Sequence, residues 1–430
     1  MGSEGIGALG DSMPAAVQAL VRECSVLWWG APPAPPARTY STSEQQAAEG
    51  ELARFLEAVT AEVKRLPRTE PGLGAVQERL TGAFVAFART GLGLADRHLS
   101  ALLQGGFVQA GADFARRARQ FDPQISGEDI FQALRNVWTM NGLQVLLGLP
   151  VRVTPAVFAY SMLYPYTDNY LDDPAVAPET KLAFDERFRR RLEGEEVRPE
   201  NTAEQAIFDL VAMIEGQYER PRYPLVHASL RAIHRAQDRS IGLVRPGTSP
   251  YEVDVLGISL EKGGASVLAD GYLVAGDLST AQARFLFDWG AFVQLVDDLQ
   301  DVVEDERAGR LTVFAQTAHR WPLDAVTTRT LQFGAGVLAQ LGCFTAPGAQ
   351  PLKELMQLGT LGLVTTAAGQ AGRLYSRKYL DALEARSPFR FSFMAQQRKK
   401  MAGKRISLVR LVEAMAGPAA LDRLASFEPV

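Results

Sequence analysis

The groups best suited to chemistry lie in the stretch 297–306. Asp297, Asp298, Asp301, Glu304, Asp305 and Glu306 make six of its ten residues acidic. At about 100° per residue in a helix, Asp297, Asp301 and Asp305 share one face, with Asp298 and Glu304 at its margins. Leu295, Leu299, Val302 and Val303 fall on the other side. An earlier segment, Asp168-Asn169-Tyr170-Leu171-Asp172-Asp173, has the same construction, and Asp168 and Asp172 share a face. Like charges one turn apart cost about a few tenths of a kcal/mol per pair in an isolated helix, and a cation bound between them removes that cost. The competing reading is a solvated face of an amphipathic helix. Such a face should stay polar along its length. Here the face running back from Asp297 passes Gln294, Val293, Gly290, Phe287, Leu286 and Ala283. The one running back from Asp168 passes Pro165, Tyr164, Ser161, Phe158 and Val157. An acidic rim above an apolar wall therefore occurs twice.

The donor chemistry narrows what such rims could hold. Two cysteines, Cys24 and Cys343, and four scattered histidines without H-E-x-x-H spacing leave oxygen as the expected metal donor. Mg²⁺ suits carboxylates, keeps several waters, and commonly completes its shell with substrate phosphates. The pattern thus predicts a phosphorylated ligand bridged by Mg²⁺, with its organic part in an apolar well. The expected metal ligands are Asp168, Asp172, Asp173, Asp297, Asp298, Asp301 and Asp305. Asp168, Asp172, Asp297, Asp301 and Asp305 form the catalytic set. Phe158, Tyr164, Phe287, Trp289 and Phe292 are candidates to shelter a carbocation through cation–π contact, with core packing as the competing role for each.

The elements that must position these residues read as helices. Period-2 runs bounded by hairpin turns are missing. Helical runs separated by Pro/Gly breaks are expected at 44–66, 75–104, 126–147, 155–173, 178–193, 203–219, 224–243, 251–275, 280–308, 324–345 and 351–386. Ser126-x-x-Asp129, Thr202-x-x-Gln205 and Thr154-Pro155 supply start signals. The runs 151–166 and 281–296 are apolar nearly all round, so those helices should be central. The expected fold is all-α: a single large helical bundle around a central cavity, spanning 44–430. It follows a flexible Pro-rich extension over 1–43 that contains the run Ala31 to Ala37, A-P-P-A-P-P-A.

Composition bounds the partners. Of 430 residues, 47% are hydrophobic and 22% charged, and 45 Lys+Arg against 49 Asp+Glu leave no basic excess for nucleic acid. No signal-peptide pattern opens the sequence, and no apolar run approaches the roughly 18 residues of a membrane span. The expected location is cytoplasmic.

With these residues in view, the chain resembles the class I isoprenoid synthase superfamily. Phe292-Val-Gln294-Leu-Val-Asp297-Asp298-Leu-Gln-Asp301 is similar to the second aspartate-rich motif of trans-prenyl diphosphate synthases, F-Q-x-x-D-D-x-x-D. Continued through Glu304-Asp305-x-x-x-Gly309-Arg310, the run also resembles squalene and phytoene synthases. The register of Asp297, Asp301 and Asp305 matches the terpene synthase N-x-x-x-S-x-x-x-E triad. The resemblance implies a helical bundle around a cavity, a prenyl diphosphate substrate, two or three Mg²⁺ and a homodimer. It covers roughly 126–386. On it, Gln294 and Lys262 become substrate-binding candidates, and Gly263-Gly264-Ala265 beside Lys262 would allow close approach. Arg310, with Arg307, could fold over the mouth, and Arg373, Arg377 and Tyr379 resemble the late Arg-Tyr diphosphate sensor of terpene synthases.

Departures from the pattern sort the subfamilies. No basic G-K-x-x-R-P segment occurs in 100–160, and the first motif lacks the R-R-G that follows it in chain-elongating enzymes. Gln300 stands where head-to-head synthases carry Arg. Loss of the acceptor site favours a class I terpene synthase that ionises and cyclises a single prenyl diphosphate. The alternatives are a prenyl diphosphate or squalene/phytoene synthase-like enzyme joining two substrates, and a non-catalytic helical binding protein.

Overall fold

The computed structural model describes residues 9–33, 38–65, 70–244, 249 and 251–402. Among them no strand occurs, and the chain is all-α as expected. The helices are α1 (Leu9–Gly30), α2 (Thr42–Lys64), α3 (Glu70–Thr90), α4 (Asp96–Leu103), α5 (Phe107–Phe121), α6 (Gly127–Leu146), α7 (Pro155–Asp172), α8 (Pro178–Glu193), α9 (Thr202–Gln217), α10 (Pro224–Ser240), α11 (Val255–Ala275), α12 (Thr280–Gln300), α13 (Val302–Ala308), α14 (Val313–Ala318), α15 (Asp324–Leu338), α16 (Gln350–Gln370), α17 (Arg377–Glu384) and α18 (Phe391–Ala402). The chain divides into two compact units: 1–37, 146–148 and 169–383 form the first, and 38–145, 149–168 and 384–430 the second.

The first unit is organised on an α11–α12 hairpin. Asp254 caps α11 by accepting from the Gly257 amide at 2.9 Å. Ser279 and Gln282 form a capping box on α12, at 3.3 and 3.0 Å. Between them Gly276 takes φ +77°, a left-handed turn that favours glycine. The two helices then run antiparallel in backbone contact. A Cβ on Gly263 would sit 2.4 Å from the Gly290 carbonyl oxygen, and one on Gly290 would sit 2.2 Å from that of Gly263. Phe285, Leu286, Phe287, Ala291, Phe292 and Leu295 are fully buried along α12, as its near-uniform apolarity predicts.

Several stretches read differently in the structure than in the sequence. The expected extension contains α1, which packs on α10, α11, α12 and α15 and buries Met13, Val17, Val21, Cys24 and Trp28. These positions recur at helical spacing, and at roughly 1.5–3 kcal/mol per large buried side chain that face holds the segment in place. Trp28 meets Phe333 edge-on at 5.9 Å. The proline run lies partly outside the described residues. The helix expected over 280–308 is broken at Asp301, whose φ −92°, ψ 1° ends α12. Likewise 75–104 is interrupted at Gly91 and Gly93, and α5 fills a stretch read as irregular. The cap of α9 is Asn201, accepting from Glu204 N at 2.9 Å, one residue before the expected Thr202.

In the second unit, α2 packs on α3. Phe55 stacks on Phe87 at 5.5 Å, and Glu49 of α2 takes a forked hydrogen bond from Arg390. Thr154 caps α7, and Phe158 lies buried against Phe114 and Phe121.

Gly290→Ala should destabilise the protein by about 1–3 kcal/mol, the usual cost of overpacking a tight contact. Gly359→Ala, in α16 where an added Cβ meets nothing within 4 Å, should stabilise by up to about 1 kcal/mol. Denaturant unfolding of the two variants checks both signs.

Candidate functional site

The hairpin fixes what faces the acidic end of α12. Because α11 runs antiparallel, its first turns lie beside the last turns of α12, which brings Ser259 and Lys262 toward Gln294 and Asp298. Gln294 Nε2 donates to Asp298 Oδ1 at 2.8 Å. Asp298 is 7% exposed, and its Oδ2 has no hydrogen-bond partner. Burial raises its pKa to about 7, although the Gln294 amide, the Ser259 hydroxyl and the Lys262 ammonium pull the other way. Asp298 is therefore buried at the α11–α12 contact, while Asp297 beside it is exposed.

The break at Asp301 rearranges the rest. Asp301 N still bonds Asp297 O at 3.0 Å, but Glu304 N turns back to Asp301 O at 2.8 Å, a tighter three-residue step. The shift lets Val302 bury completely and carries Asp305 inward to 4% exposure, while Asp297, Asp301 and Glu304 face solvent. The single straight face expected for Asp297, Asp301 and Asp305 is thus bent. Gly309, at φ +68°, closes α13, and Arg310 comes back with its N–H on Asp305 O at 2.9 Å and its Nη1 3.7 Å from Asp305 Oδ1. Burial pushes the Asp305 pKa up to about 6. Arg310 opposes this, and Asp301, Glu304 and Asp297 reinforce it.

These groups are oxygen donors of the kind a hard cation takes, and one of them, Asp298 Oδ2, is buried without a hydrogen-bond partner; among the described residues no three of them bring donor atoms within 4.8 Å of one another. Lys262, half-buried on α11, is the nearby cation from a neighbouring helix.

Other expected residues have different surroundings. Phe287 is fully buried, and a Cβ on Gly264 would meet its ring at 2.6 Å, so α11 covers that part of the expected open wall. Phe292 is buried against Trp289 and Phe333, and Trp289, half-buried, stacks parallel to Phe285 at 6.4 Å. Tyr379 OH accepts from Thr328 Oγ1 at 3.0 Å and stacks on Tyr375 at 5.6 Å. Asp288 pairs with Gln340, and Phe292 with Phe333. This antiparallel register of α12 and α15 puts the Tyr379–Thr328 contact at the same end of the unit as the acidic cluster. Arg373 is exposed in a 3₁₀ turn, and the Arg377 side chain is 95% exposed, 4.0 Å from Asp381. Arg307 is also exposed.

The first acidic segment divides between the units. Asp168, half-buried on the last turn of α7, belongs to the second, as do exposed Tyr164 and buried Phe158. Asp173, in the first unit, is exposed, and its Oδ1 accepts from Ala175 N at 2.8 Å. The Asp172 side chain lies outside the described residues.

No family model matches the chain, and no curated protein matches it. Among solved structures, it is similar to the crystal structure of a decaprenyl diphosphate synthase from Rhodobacter capsulatus. The match has 14% identity, covers 78% of this chain and 95% of that one, and has a TM-score of 0.26. The likeness is loose, and at this level it says nothing about the chemistry of this chain.

Sequence reasoning missed Ser259 and the burial of Asp298. Both could have been found by pairing α11 and α12 through their glycines. Asp298→Asn should raise the thermal midpoint in chelator at pH 8. The acid binds its proton more tightly in the folded state, so its contribution to stability falls as pH rises from the ordinary carboxylate range through about 7. The gain should therefore vanish near pH 4. Melting curves across pH 4–8 check the sign.

Proposed function

We propose that the chain is a divalent-metal-dependent enzyme that ionises a prenyl diphosphate. The carrying observation is the buried, unpartnered Oδ2 of Asp298, with Asp305 and the α11 residue Lys262 close enough to act on its charge. Asp297, Asp298, Asp301 and Asp305 would hold Mg²⁺, and bound Mg²⁺ would supply charge stabilisation for a departing diphosphate. Lys262 and Arg310 would bind diphosphate oxygens, adding positive charge where negative charge develops. Gln294, by donating to Asp298 Oδ1, orients that carboxylate and leaves Oδ2 available. Asp172 and Asp173, of the same unit, enter the proposal as further ligands.

The finer reading is a terpene synthase acting on one substrate. It is supported by the state of the arginines where an acceptor-binding segment would be sought. Arg116 and Arg117 pair with Asp113, and Arg117 and Arg119 also donate to the Val153 and Ile125 carbonyls. They are committed to holding their own helix and loop.

Incubating the purified protein with each prenyl diphosphate from geranyl to geranylfarnesyl, with Mg²⁺, should release diphosphate with a hydrocarbon or alcohol from at least one. Asp301→Ala and Asp297→Ala should each lower turnover by at least ~100-fold with little change in melting temperature. Longer diphosphates formed only when isopentenyl diphosphate is added would instead establish a two-substrate prenyltransferase. No product from any substrate, with both variants unchanged, would leave a binding protein.

A further inference from the structure

A different cluster lies on the first unit, between α8 and α10. His234 projects from α10 and is 6% exposed. Its Nε2 is 3.0 Å from Asp185 Oδ1 on α8, and its Nδ1 is 3.6 Å from Asp238 Oδ2 one turn further along α10. One donor atom from each of the three residues lies within 4.8 Å of the other two. This convergence uses two rigid helices, and the His234–Asp238 spacing is the i, i+4 geometry by which one helix face presents two ligands to one ion.

The cluster also borders a cavity of about 470 Å³, within the size range of small-ligand sites. His234 and Asp238 line it, as do Met13 and Val17 of α1 and Arg231 and Arg235 of α10. None of the prenyl diphosphate chemistry proposed above uses it.

We infer that Asp185, His234 and Asp238 form a second metal site, taking a borderline divalent ion such as Zn²⁺ or Co²⁺ whose remaining coordination positions open into this cavity. An imidazole nitrogen beside carboxylates favours these ions over Mg²⁺, which prefers oxygen alone. Arg189 faces the cluster and would oppose a cation, but its guanidinium is held by Glu186 and Glu193 at 2.6 and 2.7 Å. Burial lowers the His234 pKa, yet Asp185 and Asp238 outweigh it and the net shift is upward.

The test uses Co²⁺ with the full-length protein and excess Mg²⁺, added to compete for the oxygen donors on α12. A ligand-field absorption band should appear and saturate with a single bound ion. It should be lost in His234→Gln and Asp185→Asn and kept in the Asp297→Asn/Asp301→Asn double variant. Should His234→Gln fail to fold, the wild type still decides. With four histidines in the chain, titration of Zn²⁺ into ¹⁵N-histidine-labelled protein should shift one imidazole spin system, and fixation in one tautomer should follow. A band that survives in folded His234→Gln, a band abolished by Mg²⁺, or imidazole signals unmoved by Zn²⁺ would overturn the site. Each of these outcomes is independent of whether the α12 cluster turns over a diphosphate.

Discussion

The contact on which the candidate site depends is between two pieces of backbone. Gly263 and Gly290 leave no room for a side chain between α11 and α12. Helices this close lose lateral freedom, and their polar residues beyond the contact must share one small volume. Ser259, Lys262, Gln294 and Asp298 are brought together this way. Tertiary packing makes the juxtaposition and then imposes its cost, because a carboxylate held in so confined a place keeps only part of its hydration. The neighbours of Asp298 satisfy one of its oxygens and leave the other, and Arg310 gives Asp305 only a distant partner. A site that is under-neutralised without ligand has affinity stored in it, since a cation supplies what the folded chain withholds.

The helical character of the chain was legible in the sequence. Periodicity and Pro/Gly breaks located most helices, and Thr154 and Ser126 cap α7 and α6 as their spacing implies. The bend in the acidic face was not legible. Periodicity assumes one continuous helix, whereas burial of Val302 pays for a break at Asp301 that turns Asp305 inward. Nor could periodicity say that Phe287 would face α11 and not an open well. An apolar helical face is equally suited to lining a cavity or receiving another helix, and only the glycines opposite decide. The His234–Asp238 pair was visible as an i, i+4 spacing, but its third member, Asp185, comes from another helix, and no local pattern connects them.

The α1 segment went unread for a related reason. Its neighbour, the proline run, suggested an extension, and the apolar positions of α1 are separated by enough Ala, Gln and Arg to look weakly amphipathic. Their partners on α10, α11, α12 and α15 lie some 200 residues or more further along.

That separation has a consequence for how the protein is made. On the ribosome, the surface carrying Val17, Val21 and Trp28 emerges long before the helices that cover it, and the first unit cannot close until translation has passed α15. Until α10 and α11 follow, a nascent chain displays a greasy helix without the surfaces that cover it. Non-local closure of this kind is slow and leaves intermediates prone to sticking. Holdase chaperones and translation speed would then govern the yield of folded molecules more than the stability of the finished unit does.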